Sequence, residues 1–141
     1  MSLREDFIKD IVDVLTNMDD PRPGLVTREP FDVEKLAITQ FPAILVTSGD
    51  EERSDISMGI SRQGTIIYNI RGFVRGNEID KARNDLIERI EETLDSDRTR
   101  GTTTKSMTTQ VTRVAVIDRL APLGEFTITA QVRYKYTKGT N

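Results

Sequence analysis

Few side chains in this sequence have the type and spacing that chemistry needs. Asp95-Ser96-Asp97 has the D-x-D form of a divalent-cation site. A hard cation needs more oxygen ligands than this pair offers, supplied by the fold and by a substrate phosphate. At the end of a helical stretch the same three residues read as a solvated stop. Asp50-Glu51-Glu52 offers neighbouring carboxylates of the kind glycoside hydrolysis uses. The chain has no tryptophan to serve as a sugar-stacking platform, so this run reads as a polar loop. Arg71-Gly72-Phe73-Val74 opens like the RNA-recognition signature whose aromatics stack on bases. Val74 stands where Gly or Ala belongs, and Gly76-Asn77 supplies no following aromatic, which leaves a core strand. Neither a G-x-x-x-x-G-K-[ST] phosphate loop nor a G-x-S-x-G nucleophile elbow occurs.

The 141 residues contain no histidine and no cysteine. The first absence removes the side chain most used for proton transfer near neutral pH, and the second removes thiolates and disulfides. The expectation is a protein with no catalytic residue, no metal and no cofactor. Twenty Lys and Arg stand against 23 Asp and Glu, for a formal net charge of −3, with the two signs mixed along the chain. Counterion-releasing grip on a polyanion calls for a basic excess, so a specific nucleic-acid partner is not expected. No apolar run approaches the roughly 20 residues of a membrane span, and the start through Phe7 lacks a signal-peptide apolar region. Both point to a protein that stays in the cytoplasm where it is made.

The elements that hold these residues follow from periodicity. Leu3, Phe7, Ile8, Ile11, Val12, Leu15 and Met18 recur at helical spacing, with Ser2 and Glu5 as a capping box. Pro21, Pro23 and Gly24 end that helix. Leu25–Arg28 reads as a short edge strand, Val33–Leu36 as one helical turn, and Ala43–Thr47 as a strand. The polar, acidic-leaning stretch Ser48–Asp55 reads as a loop or a hairpin tip. Thr65–Arg75 is the longest predicted strand. Ile66, Tyr68, Ile70 and Val74 alternate onto one face, and Ile67 and Phe73 lend the other face apolar character. A helix follows over Glu78–Asp95, with Ile79, Ala82, Leu86, Ile90 and Leu94 as its stripe. Ser96–Gln110 is rich in threonine and reads as a loop or extended arm. Val111–Ile117 and Glu125–Thr137 close the chain as strands, the second alternating cleanly from Phe126 to Tyr136.

The order αβββαββ predicts one α+β domain over residues 1–141. It is a two-layer sandwich, with two helices on one face of a mainly antiparallel sheet of four or five strands. Mobile loops are expected near 48–64 and 96–110. A chain of this length buries about 68–70% of its unfolded surface and needs no staple.

Four stretches together resemble the tail terminator, or tail completion, family of long-tailed bacteriophages. They are the amphipathic start Phe7–Leu15, the strand Pro42–Val46 with the acidic loop Ser48–Glu52, the strand-into-helix run Ile66–Leu94, and the end from Asp97-Arg98-Thr99 through Ala121–Phe126 to the final alternating strand. The likeness lies in order and length along nearly the whole chain, and the threonine-rich arm does not match it.

The resemblance implies a subunit of a hexameric ring in the virion tail, assembled in the host cytoplasm. Such a ring caps the tail tube, stops its polymerisation and docks the head or neck. Its partners would be copies of itself, the tail tube protein, a head-completion or neck protein and, in a contractile tail, the sheath. For the contact between copies the sheet face with Ile67, Arg71, Phe73, Gln131 and Arg133 is the expected patch. For tube and neck docking the expected rims are Asp50, Glu51, Glu52, Arg53 and Asp55 on one loop and Arg98, Arg100 and Lys105 on the other. The competing readings are a head-completion or neck joint protein and, from a different class, a small nucleic-acid-binding module.

Overall fold

The computed structural model describes residues 3–55, 61–96, 100 and 106–137. The first helix, α1 (Leu3–Thr16), buries Leu3, Phe7, Ile8, Ile11 and Leu15, the predicted stripe. Its last carbonyls are taken up by side chains: Thr16 Oγ1 donates to Val12 O at 2.7 Å and Asn17 Nδ2 to Asp13 O at 2.9 Å. Asp20 then adopts φ 52°, in the left-handed region, and Pro21 prevents continuation. The predicted cap Ser2 lies outside the described residues.

Among the described residues five strands form a single sheet in the order β1-β2-β3-β5-β4. Strand β1 (Leu25–Thr27) runs parallel to β2 (Ala43–Asp55), with Leu25 opposite Ala43. Gly24 donates its N–H to Pro42 O at 2.9 Å, and a β-carbon there would collide with the Thr39 carbonyl, so only glycine fits this entry. The chain between β1 and β2 makes 3₁₀ turns at Val33–Lys35 and Ile38–Gln40. Strand β3 (Ser61–Arg75) pairs antiparallel with β2 and with β5 (Leu123–Thr137), and β4 (Ser106–Ile117) pairs antiparallel with β5. The second helix is α2 (Ile79–Ser96). The α+β sandwich is therefore as expected, with a mixed sheet because β1 is parallel.

Both helices cover the same face. Leu86, Ile90 and Leu94 of α2 join the α1 stripe over Ile44, Val46, Ile66, Tyr68, Ile70, Phe126, Ile128, Ala130 and Val132. Close approach is built in by glycine. A β-carbon on Gly72 would overlap the Phe126 ring, and one on Gly64 would lie 2.5 Å from the Tyr134 ring.

Two stretches of polar composition are strand. The predicted loop 48–55 is the outer half of β2, paired across a bulge between Ser48 and Glu51 to residues of β3, and 61–64 are strand as well. The threonine arm is likewise strand from Ser106 onward. In both, a neighbouring strand satisfies the backbone, and that overrides a polar local composition. Residues 56–60 and 101–105 lie outside the described residues.

The opposite sheet face is partly covered by the chain itself. Val33, Ala43, Leu45 and Phe73 form a second buried cluster, flanked by Leu25, Phe31, Leu36, Phe41 and Leu123. Phe31 meets Phe73 edge to face, centroids 5.3 Å apart.

Candidate functional site

The sheet has two ends: the hairpin end, where β2 passes to β3, and the base, where Arg75, Leu123 and Ile117 lie. On the face away from the helices, register puts Thr65, Ile67, Asn69, Arg71 and Phe73 of β3 opposite Arg133, Gln131, Thr129, Thr127 and Glu125 of β5. The predicted patch is thus brought together on one face. Phe73, however, is 2% exposed, and the segment 31–45 closes over it. Ile67 and Gln131 are half-buried, and Arg133 is exposed.

At the base of this face a carboxylate is held between guanidinium groups. Arg71 Nε and Nη2 donate to Glu125 Oε2 at 3.2 and 2.8 Å, and Arg119 Nε donates to Glu125 Oε1 at 2.6 Å. The guanidinium carbons of Arg71 and Arg119 stand 5.2 and 5.6 Å from the centre of the Phe73 ring. Burial pushes the Glu125 carboxyl up, but the hydrogen bonds from Arg119 and Arg71 outweigh it and hold the group below its ordinary value.

A second charged cluster sits toward the hairpin end on the helix side. The Glu51 carboxylate accepts from Arg4 Nη1 at 3.0 Å, from Arg53 Nε at 2.7 Å and from the Tyr134 hydroxyl. Arg4 Nη2 also donates to Gly49 O at 2.8 Å, and Tyr68 donates to Arg4 O at 3.0 Å. Burial raises the Glu51 carboxyl, and the bonds from Arg53, Tyr134 and Arg4 lower it further than that, for a net depression. Burial pushes the Tyr68 hydroxyl well above its ordinary value. These carboxylates hold the fold: each is neutralised by arginine.

The expected docking residues divide. Asp50, Glu52 and Arg53 are exposed on β2. Glu51 points to the helix side, its side chain only 9% exposed. Asp55 ends β2. Arg100 is buried: Nη2 donates to Leu94 O at 2.9 Å and Nη1 lies 3.2 Å from Asp10 Oδ2, so it anchors the chain after α2 and is not a rim residue. Arg98 and Lys105 lie outside the described residues. Because α2 ends at the hairpin end, Arg100, which bonds Leu94 O, lies at the same end of the molecule as Asp50, Glu52 and Arg53. The D-x-D residue Ser96 donates to Thr93 O at 2.8 Å, in the last turn of α2, and Asp97 lies outside the described residues. Among the described residues no three Asp or Glu side chains converge as a metal site, and no helix is long and apolar enough to cross a membrane.

Two features escaped the sequence reading. Strand β4 is an edge, and among the described residues nothing pairs with its outer side. It exposes Val114, Val116 and Ile117, and Leu120 in the following turn is 90% exposed. The signal was present in Val114-Ala115-Val116-Ile117, an apolar run without polar alternation. On the other flank of α2 lies an open groove of about 610 Å³ between α2, Asp20-Pro21 and Ile38–Pro42.

No protein-family model and no curated protein sequence matches the chain. Among solved structures, the fold is similar to that of a chain in the virion of a native gene transfer agent particle. The TM-score is 0.54 at 10% sequence identity, over 96% of each chain. At that identity the likeness is one of fold.

Proposed function

We propose that this chain is a structural subunit of a phage-like particle, and that it acts as the tail terminator: a ring that caps the tail tube, ends its polymerisation and offers a docking face to the head or neck. The observation that carries the reading is the likeness of fold, end to end, to a chain of a gene transfer agent virion. The order of elements that resembles the terminator family points the same way. The role is one of assembly and not of catalysis, since both buried carboxylates are spent on arginine pairs within the fold.

A ring closes by joining two different patches on each subunit. The molecule has unlike flanks, with a short parallel strand at one sheet edge and a long open strand at the other. Its ends are unlike too: charged β2 residues Asp50, Glu52 and Arg53 at one, apolar Ile38 and Leu120 at the other. A terminator needs that asymmetry, because one rim must match the tube and the other must not. The partners of this reading are copies of the chain, the tube protein and a head-completion or neck protein, with sheath added in a contractile tail.

The test is to polymerise tubes from the particle's own tube protein and add the purified chain. Electron microscopy should find a ring at one tube end, and added subunits should stop growth. A chain that binds the neck component and ignores tube ends is a neck protein instead. A chain that shifts DNA at low salt and releases it as salt rises is a nucleic-acid module.

A further inference from the structure

Helix α2 separates two surfaces, an open strand edge and a groove. On one flank, β4 exposes Val114 and Val116 on the helix side, opposite Ile128 and Phe126, and Ile117 on the other side, opposite Glu125, and the turn after it exposes Leu120. On the other, the groove is floored by Ile38, Phe41, Pro42, Val74 and Leu86. The separation follows from helical spacing. Arg83, Glu91 and Asp95 of α2 border β4, whereas Lys81, Asp85, Glu88, Arg89 and Glu92 border the groove.

One acid and one cation on each surface run in opposite order. On β4, Arg113 stands toward the hairpin end, opposite Thr129 and so on the sheet face away from the helices, and Asp118 follows Ile117 at the base. Of the charges that line the groove, Lys81 pairs with Asp85 and Arg89 with Glu92, and Asp20 lies beside Arg89; Glu88 is partway up α2, and Arg75 is at the base opposite Leu123. The heights agree. Arg113 is four residues above Ile117, about 13 Å along a strand. Glu88 is nine residues above Ile79, about 13 Å along a helix that starts beside Gly124. Arg113, Glu88 and Arg75 have no ion-pair partner among the described residues, and Asp118 is fully exposed, 4.0 Å from Arg83.

We propose that the occupant of the groove is the β4 flank of a second copy of this chain. Val116 and Leu120 of one subunit seat on Ile38 and Phe41 of the next, with Arg113 facing Glu88 and Asp118 facing Arg75. The contact is head-to-tail, since knob and groove lie on opposite flanks, and repetition keeps every subunit the same way up. This assignment rests on the ring reading and names its interface. It also explains why an edge strand whose last residues, Val114, Val116 and Ile117, are apolar and exposed stands uncovered: such edges are blunted in proteins that stay single. The sheet face around Arg71 and Gln131 is then free for other partners.

The experiment uses Val116→Asp, which spoils the knob, and Ile38→Asp, which spoils the groove. Both positions are exposed, so each variant keeps the wild-type thermal transition. Light scattering over a concentration series should give a rising mass for wild type, alone or with tube ends, and at least a tenfold weaker association for either variant. Mixing the two variants should give a heterodimer and nothing larger, because only one sound knob meets one sound groove. Arg113→Glu and Glu88→Arg should each weaken assembly, and the double variant should recover it. If rings persist in all these variants, the ring stands and this interface falls. Loss with Val116→Asp but not with Ile38→Asp means β4 pairs with β4, which also overturns the proposal. A wild type that stays single at every concentration and beside tube ends removes the ring and the interface together.

Discussion

Replacing Glu125 by glutamine keeps the shape of the side chain and removes its charge. Three hydrogen bonds from Arg71 and Arg119 converge on this carboxylate, whose side chain is 3% exposed. Removing one partner of a buried ion pair costs about 3–5 kcal/mol when the other is stranded. Here the arginines keep 41% and 31% of their exposure and rehydrate, and glutamine still accepts one bond. Both effects bring the expected loss down to about 2 kcal/mol. The pH dependence identifies the cause. The folded-state pKa of Glu125 lies below its ordinary value of 4.5, so its contribution is complete above that value and fades as pH falls through the depressed one. Urea unfolding at pH 7 should therefore separate Glu125→Gln from wild type by about 2 kcal/mol, and the gap should shrink on acidification below the ordinary carboxylate range. A gap that stays constant with pH would refute the charge argument. A variant as stable as wild type at pH 7 would refute the burial argument too.

Gly72→Ala should destabilise by about 1–3 kcal/mol in urea melts, because its methyl meets the Phe126 ring. Adding Phe126→Leu should give a combined loss smaller than the sum of the two single losses, the sign of coupling in a double-mutant cycle. Arg100→Ala removes a buried guanidinium that holds Leu94 O and Asp10; a loss of about 3 kcal/mol is expected, and Arg100→Met should regain part of it by filling the space. Glu51→Gln should, like Glu125→Gln, flatten the acid limb of stability, read as thermal midpoint against pH, since its carboxyl is also held low. Arg71→Ala with Arg133→Ala should leave ring mass unchanged in light scattering if the β4-to-groove contact joins the copies, and should abolish it if the sheet face does.

Much of the fold was legible because periodicity reports burial directly. The stripe Leu3 to Leu15, the alternation from Phe126 onward and the run Ile66 to Val74 each assign an element and its inner face, and both helices were placed on one layer by that logic. The absence of His and Cys was equally plain and set the expectation of no catalysis. Local composition misled where strand pairing decided instead. Ser48–Asp55 and Thr108–Thr109 are polar, yet a neighbouring strand satisfies their backbone, and Arg4, Arg53 and Tyr134 compensate Glu51 across the layers. Which patch is open was likewise a matter of tertiary structure. Phe73 looked available on an alternating strand, but Phe31, forty-two residues earlier in the chain, covers it. Arg100 looked like a loop cation and is buried against α1 and α2. The order of strands in the sheet, which made β4 an edge and left Val116 and Leu120 uncovered, depends on long-range pairing energies that no single segment carries.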